Sequence, residues 1–214
     1  MVMKDLRNVR IDYNLDSLTE TDVRKNPQEQ LINWMDTAID KKIPEPTAFC
    51  LSTIKHDLTV SSRIVLAKEI EDTGLIFYTN YNSAKGLDIA KNGSGSAVFF
   101  WAELQRQVRI EGELEKIPCI QSDSYYSMRP LDSKIGAWAS PQSEIIADRT
   151  VLENNFKKYK EKFSKSDPGR PSFWGGIKLS FKTIEFWQGR QNRLHDRIKY
   201  RKKNDGWEII RLAP

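Results

Sequence analysis

Cysteine and histidine are scarce in this chain. Of 214 residues, two are cysteine and two are histidine. Cys50 lies in an apolar run and Cys119 follows Pro118, and neither belongs to a CxxC pair or a metal-like cluster. That excludes a disulfide framework and a Cys/His zinc centre as the organising principle, and isolated thiols fit a reducing compartment. Long hydrophobic runs are missing too; stretches such as Ala97 to Ala102 are far too short to cross a bilayer. The segment Met1 to Asn14 is polar and charged, unlike a secretory signal, so the expected location is cytoplasmic. No GxGxxG or GxxxxGK[ST] occurs, which removes the Rossmann and P-loop fingerprints. HExxH and GxSxG are absent as well, leaving metalloprotease and hydrolase-elbow chemistry without support.

Hydrophobic residues make up 39% of the chain and charged residues 29%, enough for a real core under a charged surface. The net charge of +5 is modest and suits an anionic ligand as well as nucleic acid. Lys and Arg are interspersed with Asp and Glu, apart from Lys199 to Lys203, rather than gathered in the stripe of a nucleic-acid-binding module. Residues 1–25 are polar and unperiodic and read as an arm or flexible lead, and 26–214 as one domain. Asn26-Pro27-Gln28-Glu29 is a helix start, followed by an apolar stripe to about Lys41. Short β-rich runs follow over 48–55, 59–68, 75–79, 96–104 and 106–117, with a helix capped by Ser83 running to Lys91. Helices are predicted at about 120–128 and 149–163, and strands at 176–181, 183–188, 193–201 and 207–212. Strands joined by short turns such as Asn204-Asp205-Gly206 imply an antiparallel sheet, and their number suggests a barrel.

Several groups could carry chemistry. Arg193, His195 and Arg197 alternate, and on a strand they share one face that a core cannot easily bury unpaired. Arg63 and Lys68 bracket a β-branched run, marking either its ends or two anion contacts. Ser83-Ala84-Lys85 opens a helix, where backbone N–H groups favour a phosphate. Tyr125, Arg129 and Ser133 are spaced by four and make a phosphate cradle if helical, although Pro130 tends to end a helix there. The stretch from Arg129 to Ser143 reads as a loop rich in amides and hydroxyls, and Gln107 adds another amide.

These segments together resemble the pyridoxamine 5′-phosphate oxidase family, the FMN enzymes of vitamin B6 metabolism. The likeness runs from about Arg10 to Pro214. It rests on Arg63-Ile-Val-Leu-Ala-Lys68, Phe77-Tyr-Thr-Asn80, Arg106-Gln-Val108, Arg129-Pro-Leu-Asp-Ser-Lys-Ile-Gly-Ala-Trp138, Ser172-Phe-Trp-Gly-Gly176, Glu185-Phe-Trp-Gln-Gly189, Arg193-Leu-His-Asp-Arg197 and Arg211-Leu-Ala-Pro214.

The resemblance implies a mainly β fold with flanking helices, a Greek-key antiparallel split β-barrel, acting as a homodimer with FMN at the subunit interface. It implies oxidation of pyridoxamine and pyridoxine 5′-phosphates to pyridoxal 5′-phosphate, with O2 as acceptor. Carried over by motif, FMN contacts fall on Arg63, Ile64, Val65, Leu66, Ala67, Lys68, Tyr78, Thr79, Ala84, Lys85, Gln107, Gln142, Ser143, Trp187 and Arg197. Substrate contacts fall on Arg10, Tyr13, Lys68, Tyr125, Arg129, Ser133, Arg193 and His195, with Arg193 and His195 nearest the reacting carbon and Arg10 to Tyr13 as a lid. One departure is Ala84, where the family usually carries a basic residue. The rival within the fold is another split-barrel flavoprotein, a flavin reductase or a non-catalytic flavin-binding protein, which need not share Arg129 to Ser133 or Arg193 to His195.

Overall fold

The computed structural model describes residues 4–9 and 11–214. The chain divides into two compact units, one of Met1–Pro46, Val98–Ile110 and Lys182–Pro214, the other of Thr47–Ala97 and Glu111–Phe181.

In the first unit, helix α1 (Pro27–Asp40) starts as the sequence predicts. The Asn26 side chain accepts the Gln28 N–H at 3.0 Å, and Pro27 occupies a position whose N–H would have no partner. The stripe Leu31, Trp34, Met35 and Ala38 is buried, and Trp34 meets Phe186 edge-on at 5.2 Å. Strands β8 (Asp196–Lys203) and β9 (Gly206–Arg211) form the expected hairpin through Asn204 and Asp205. The arm is tied down rather than loose. Gln105 Oε1 accepts the N–H groups of Asn14 and Leu15, Asp196 accepts that of Leu18, and the Leu18 side chain is buried.

The second unit carries β1 (Ala48–Ile54), β2 (Val60–Leu66), β3 (Glu69–Glu71) and β4 (Gly74–Asn80), then α2 (Ala84–Lys91). β1 pairs antiparallel with β2 so that Leu51 faces Arg63, and Phe49 packs on Phe77 at 5.8 Å. β4 is buried along nearly its whole length, its apolar run Leu75–Phe77 in the core and the polar Thr79 and Asn80 buried beyond it. Helices α3 (Cys119–Met128), α4 (Leu131–Ala139) and α5 (Arg149–Lys162) complete it. Strands β5 (Ser94–Trp101), β6 (Arg106–Lys116) and β7 (Trp174–Gln188) have residues in both units, and the strand order is β2-β1-β5-β6-β7-β4-β3, with β8 on β7 and β9 on β8.

The structure corrects four expectations. β3 was not foreseen, being three residues long. The two strands expected at 176–181 and 183–188 are one strand of 15 residues. The stretch after Arg129 is not a loop throughout, because Pro130 ends α3 and opens α4, its carbonyl accepting the N–H groups of Ser133 and Lys134. Last, Arg193, His195 and Arg197 do not alternate on a strand. Asn192 and Arg193 take left-handed φ of 57° and 60° in a tight turn, and β8 begins only at Asp196.

Candidate active site

A cavity of about 550 Å³ lies within the second unit. Arg63, Ile64, Val65, Leu66 and Lys68 reach it from β2 and the turn after it, and Tyr78 and Thr79 from β4. Lys85 comes from α2, Tyr125 and Arg129 from the end of α3, Ser133 from α4, and Gln142 from the turn beyond. Among the described residues its wall holds four cations, Arg63, Lys68, Lys85 and Arg129, and no carboxylate. Arg63 has Asp88 behind it at 3.8 Å, and positive charge left unmatched in a half-enclosed space costs free energy unless an anion arrives.

One end is built by Arg63 and Lys85. Arg63 donates to Thr53 Oγ1 at 2.7 Å and Ser61 Oγ at 2.8 Å, with Asp88 at 3.8 Å. These contacts fix the guanidinium at a strand position opposite Leu51. Lys85 Nζ donates to Thr79 Oγ1, Ser83 Oγ and Gln142 Oε1 at 3.1–3.3 Å. Its partners are neutral oxygens, so its charge is left unmatched. Burial first, and the Arg63 charge second, hold Lys85 below the usual lysine value. Ser83 caps α2, its hydroxyl oxygen accepting the Gly86 N–H as well as the Lys85 ammonium. Ala84 is exposed and offers only a methyl.

The other end is built by Tyr125, Arg129 and Ser133. The kink at Arg129-Pro130 breaks the single helical face that a spacing of four suggests, yet all three side chains line the cavity. Arg129 Cζ stands 4.5 Å from the Trp174 ring centroid, and its Nη1 is buried with no hydrogen-bond partner. An unpaired buried guanidinium nitrogen is expensive, and burial lowers the Arg129 pKa. Tyr125 stacks on Tyr78 at 3.8 Å, and burial pushes its phenol up. Trp174, absent from the predicted site, is a wall of this end; its signal was the aromatic before Gly175-Gly176.

A second group of predicted residues belongs to the first unit. Tyr13 meets Trp187 and His195, each at 5.7 Å, and His195 lies 4.6 Å from Trp187. His195 Nδ1 accepts the Arg190 N–H at 3.1 Å, so the proton of the neutral ring sits on Nε2. Burial and the nearby Arg193 charge lower the His195 pKa. Arg197 donates twice to Glu185, at 2.8 and 3.1 Å, and once to the Ala213 carbonyl, so it is already paired. Arg193 is exposed on its turn. Gln107 is half-buried on β6, Ser143 is exposed at φ 75°, Ala67 is buried beside the cavity strand, and Arg10 lies outside the described residues.

Residues 35–163 match the family model described as pyridoxamine 5′-phosphate oxidase, and residues 174–214 match the pyridoxine 5′-phosphate oxidase C-terminal dimerisation region. The chain is 47% identical over 213 residues to a pyridoxine/pyridoxamine 5′-phosphate oxidase of Cupriavidus taiwanensis, covering 99% of this chain and 100% of that one. It is 45% identical over 212 residues to the enzyme of that name from Trichormus variabilis, with 99% of each covered. Among solved structures it is similar to PhzG from Burkholderia lata 383 in complex with tetrahydrophenazine-1-carboxylic acid, at a TM-score of 0.87 and 28% identity, covering 94% of this chain and 99% of that one. It shares its fold with a pyridoxamine 5′-phosphate oxidase-related, FMN binding protein from Nostoc punctiforme, at a TM-score of 0.71 and 15% identity, covering 90% and 100%. The chain therefore belongs to the pyridoxine/pyridoxamine 5′-phosphate oxidase family: it is an oxidoreductase of a flavoprotein family, with the mainly β split-barrel fold the sequence predicts. No helix among the described residues is long and apolar enough to cross a membrane.

Proposed function

We propose that this protein, with FMN as its flavin, oxidises pyridoxine 5′-phosphate and pyridoxamine 5′-phosphate to pyridoxal 5′-phosphate in the cytoplasm. The observation that carries the reading is the cavity with four cations and no carboxylate, one of them, Arg129, with a buried unpaired nitrogen. Such a wall fits phosphate dianions, which bring oxygen acceptors to groups otherwise left without them. Pyridoxine 5′-phosphate and O2 give pyridoxal 5′-phosphate and H2O2; pyridoxamine 5′-phosphate consumes one water as well and releases ammonia. Bound FMN supplies the two-electron acceptor for the hydride leaving C4′ and the route for those electrons to O2.

The chain's own groups position and polarise. Arg63, Lys85 and Thr79 hold the cofactor phosphate, with the start of α2 adding its N–H groups. Lys68, Tyr125, Arg129 and Ser133 hold the substrate phosphate. Fixing both anions on one wall sets the distance between the reacting atoms, a gain of several kcal/mol of barrier where alignment is good, on the order of 7–11 at best. His195 presents its Nε2–H as a donor to the substrate; with Nδ1 occupied by the Arg190 amide it is not the base. Arg193 orients the pyridine ring. The match of residues 174–214 to a dimerisation region supports a homodimer in which each FMN is bounded by two copies of the chain, Gln107, Trp187 and Arg197 completing its surroundings.

A second reading, oxidation of a tricyclic carboxylic acid, draws on the likeness to PhzG. Arg129→Ala tests the first. The KM for pyridoxine 5′-phosphate rises about tenfold or more while the ratio of FMN to protein stays constant, as expected for losing a charge-assisted hydrogen bond. Loss of FMN in that variant assigns Arg129 to the cofactor instead, and turnover of the tricyclic acid with none of the pyridine phosphates favours the second reading.

A further inference from the structure

The substrate-phosphate end of the cavity is held in place by a chain of contacts that starts at residues outside it. Tyr78 donates its hydroxyl to Glu69 Oε1 at 2.6 Å. Glu69 is itself fixed, because Gln121 Nε2 donates to Glu69 Oε2 at 3.1 Å and to Glu71 Oε1 at 3.0 Å. Lys178 closes the far end, donating to Glu71 Oε2 at 2.8 Å. The two carboxylates thus share one amide from α3, and Glu71 alone takes the ammonium from β7.

From Tyr78 the chain continues by ring contact. Its ring lies 3.8 Å from that of Tyr125 with 13° between planes, and 5.5 Å from that of Trp174, also at 13°. Tyr125 and Trp174 are within 6° of parallel. Arg129 rests on the Trp174 face. The Tyr78 ring has little freedom: a Cβ on Gly176, its partner across β4 and β7, would come within 3.0 Å of it. Offset stacking of this kind sets ring planes as well as contributing attraction, so a tilt of Tyr78 passes to Tyr125 and to the surface under Arg129.

We propose that Glu69 is a positioning residue for the phosphate-gripping pair Tyr125 and Arg129, acting through the Tyr78 hydroxyl and the Tyr78–Tyr125–Trp174 stack, with Gln121 holding Glu69 in place. Neither Glu69 nor Gln121 lines the cavity, and neither offers a phosphate anything but repulsion or a distant amide. The placement is nonetheless useful: a carboxylate close to an anion site would weaken it, and here the charge is occupied by a phenol proton and an amide. This rests on the reading that Tyr125 and Arg129 hold the substrate phosphate.

The test uses the FMN-loaded protein, with calorimetric binding of pyridoxal 5′-phosphate and steady-state kinetics with pyridoxine 5′-phosphate. Glu69→Ala weakens product binding and raises KM about fivefold, the loss of one well-placed hydrogen bond, while kcat and the flavin content are retained. Glu69→Gln restores most of the affinity by keeping an acceptor for Tyr78. Adding Glu69→Ala to Tyr78→Phe changes nothing further, because the hydroxyl through which Glu69 acts is already gone. Binding and KM in Glu69→Ala equal to wild type, or additive losses in the double variant, overturn the proposal. A wild-type protein that neither binds pyridoxal 5′-phosphate nor oxidises pyridoxine 5′-phosphate overturns the reading of the cavity instead, so the two failures are told apart. If Glu69→Ala fails to fold, Gln121→Leu interrogates the same chain one step further out, with the same expected rise in KM and the same overturning result.

Discussion

At the scale of single residues, the chemistry turns on charges whose partners are missing. Arg129 and Lys85 have the anion-seeking environment, and each is held below its ordinary pKa chiefly by burial. Arg197 looked equivalent in sequence but is matched by Glu185, which identical residue types cannot reveal. His195 and Arg193 are coupled in a way that can be measured. The Arg193 charge lowers the His195 pKa, so removing it raises that pKa toward the ordinary value near 6.5. Arg193→Leu therefore shifts the His195 titration upward in a proton NMR series and depresses kcat/KM for the phosphorylated substrate. An unmoved titration with unchanged kinetics removes Arg193 from the site. Because His195 titrates low in the folded state, the stability linked to it is complete above pH 6.5 and falls away as pH drops through the lowered value.

At the scale of elements, the legible parts were those written in periodicity and caps. The α1 stripe, the Ser83 cap of α2 and the β8–β9 turn all follow from residue types at fixed offsets. What escaped were places where a residue does something its type does not announce. Pro130 was readable as a stop and not as the start of α4. Arg193 in a left-handed turn is not a residue that sequence rules put there, so an apparent strand alternation was really a turn followed by a strand. Trp174 and Glu69 act by contact across β7, β4 and β3, and contacts between strands distant in sequence leave no local mark. The arm has a testable anchor. Arg211 on β9 donates to both oxygens of Glu20 at 2.7 and 2.9 Å and to the Leu18 carbonyl. The Arg211 hydrogen bonds lower the Glu20 pKa to about 2. This anchor is present above the ordinary glutamate value of 4.5 and is lost as pH falls toward about 2. A carboxyl-carbon NMR titration places the Glu20 midpoint near 2; a midpoint near 4.5 means Arg211 does not hold the arm.

At the scale of the whole molecule, two groups of residues drawn from one set of motifs fall in two compact units. Residues 63–142 supply the anion wall, and Tyr13, Trp187 and His195 form an aromatic cluster elsewhere in the chain. The proposed homodimer, with each flavin bounded by two copies, would give both groups a use. The net charge of +5 suits the phosphate-bearing substrates and cofactor proposed above. The most direct measurement is the visible spectrum of the purified protein loaded with FMN, before and after anaerobic addition of pyridoxine 5′-phosphate. If the protein oxidises pyridoxine 5′-phosphate through its flavin, the spectrum bleaches on addition and returns when air is admitted. A flavin spectrum that stays oxidised in the presence of saturating pyridoxine 5′-phosphate contradicts it.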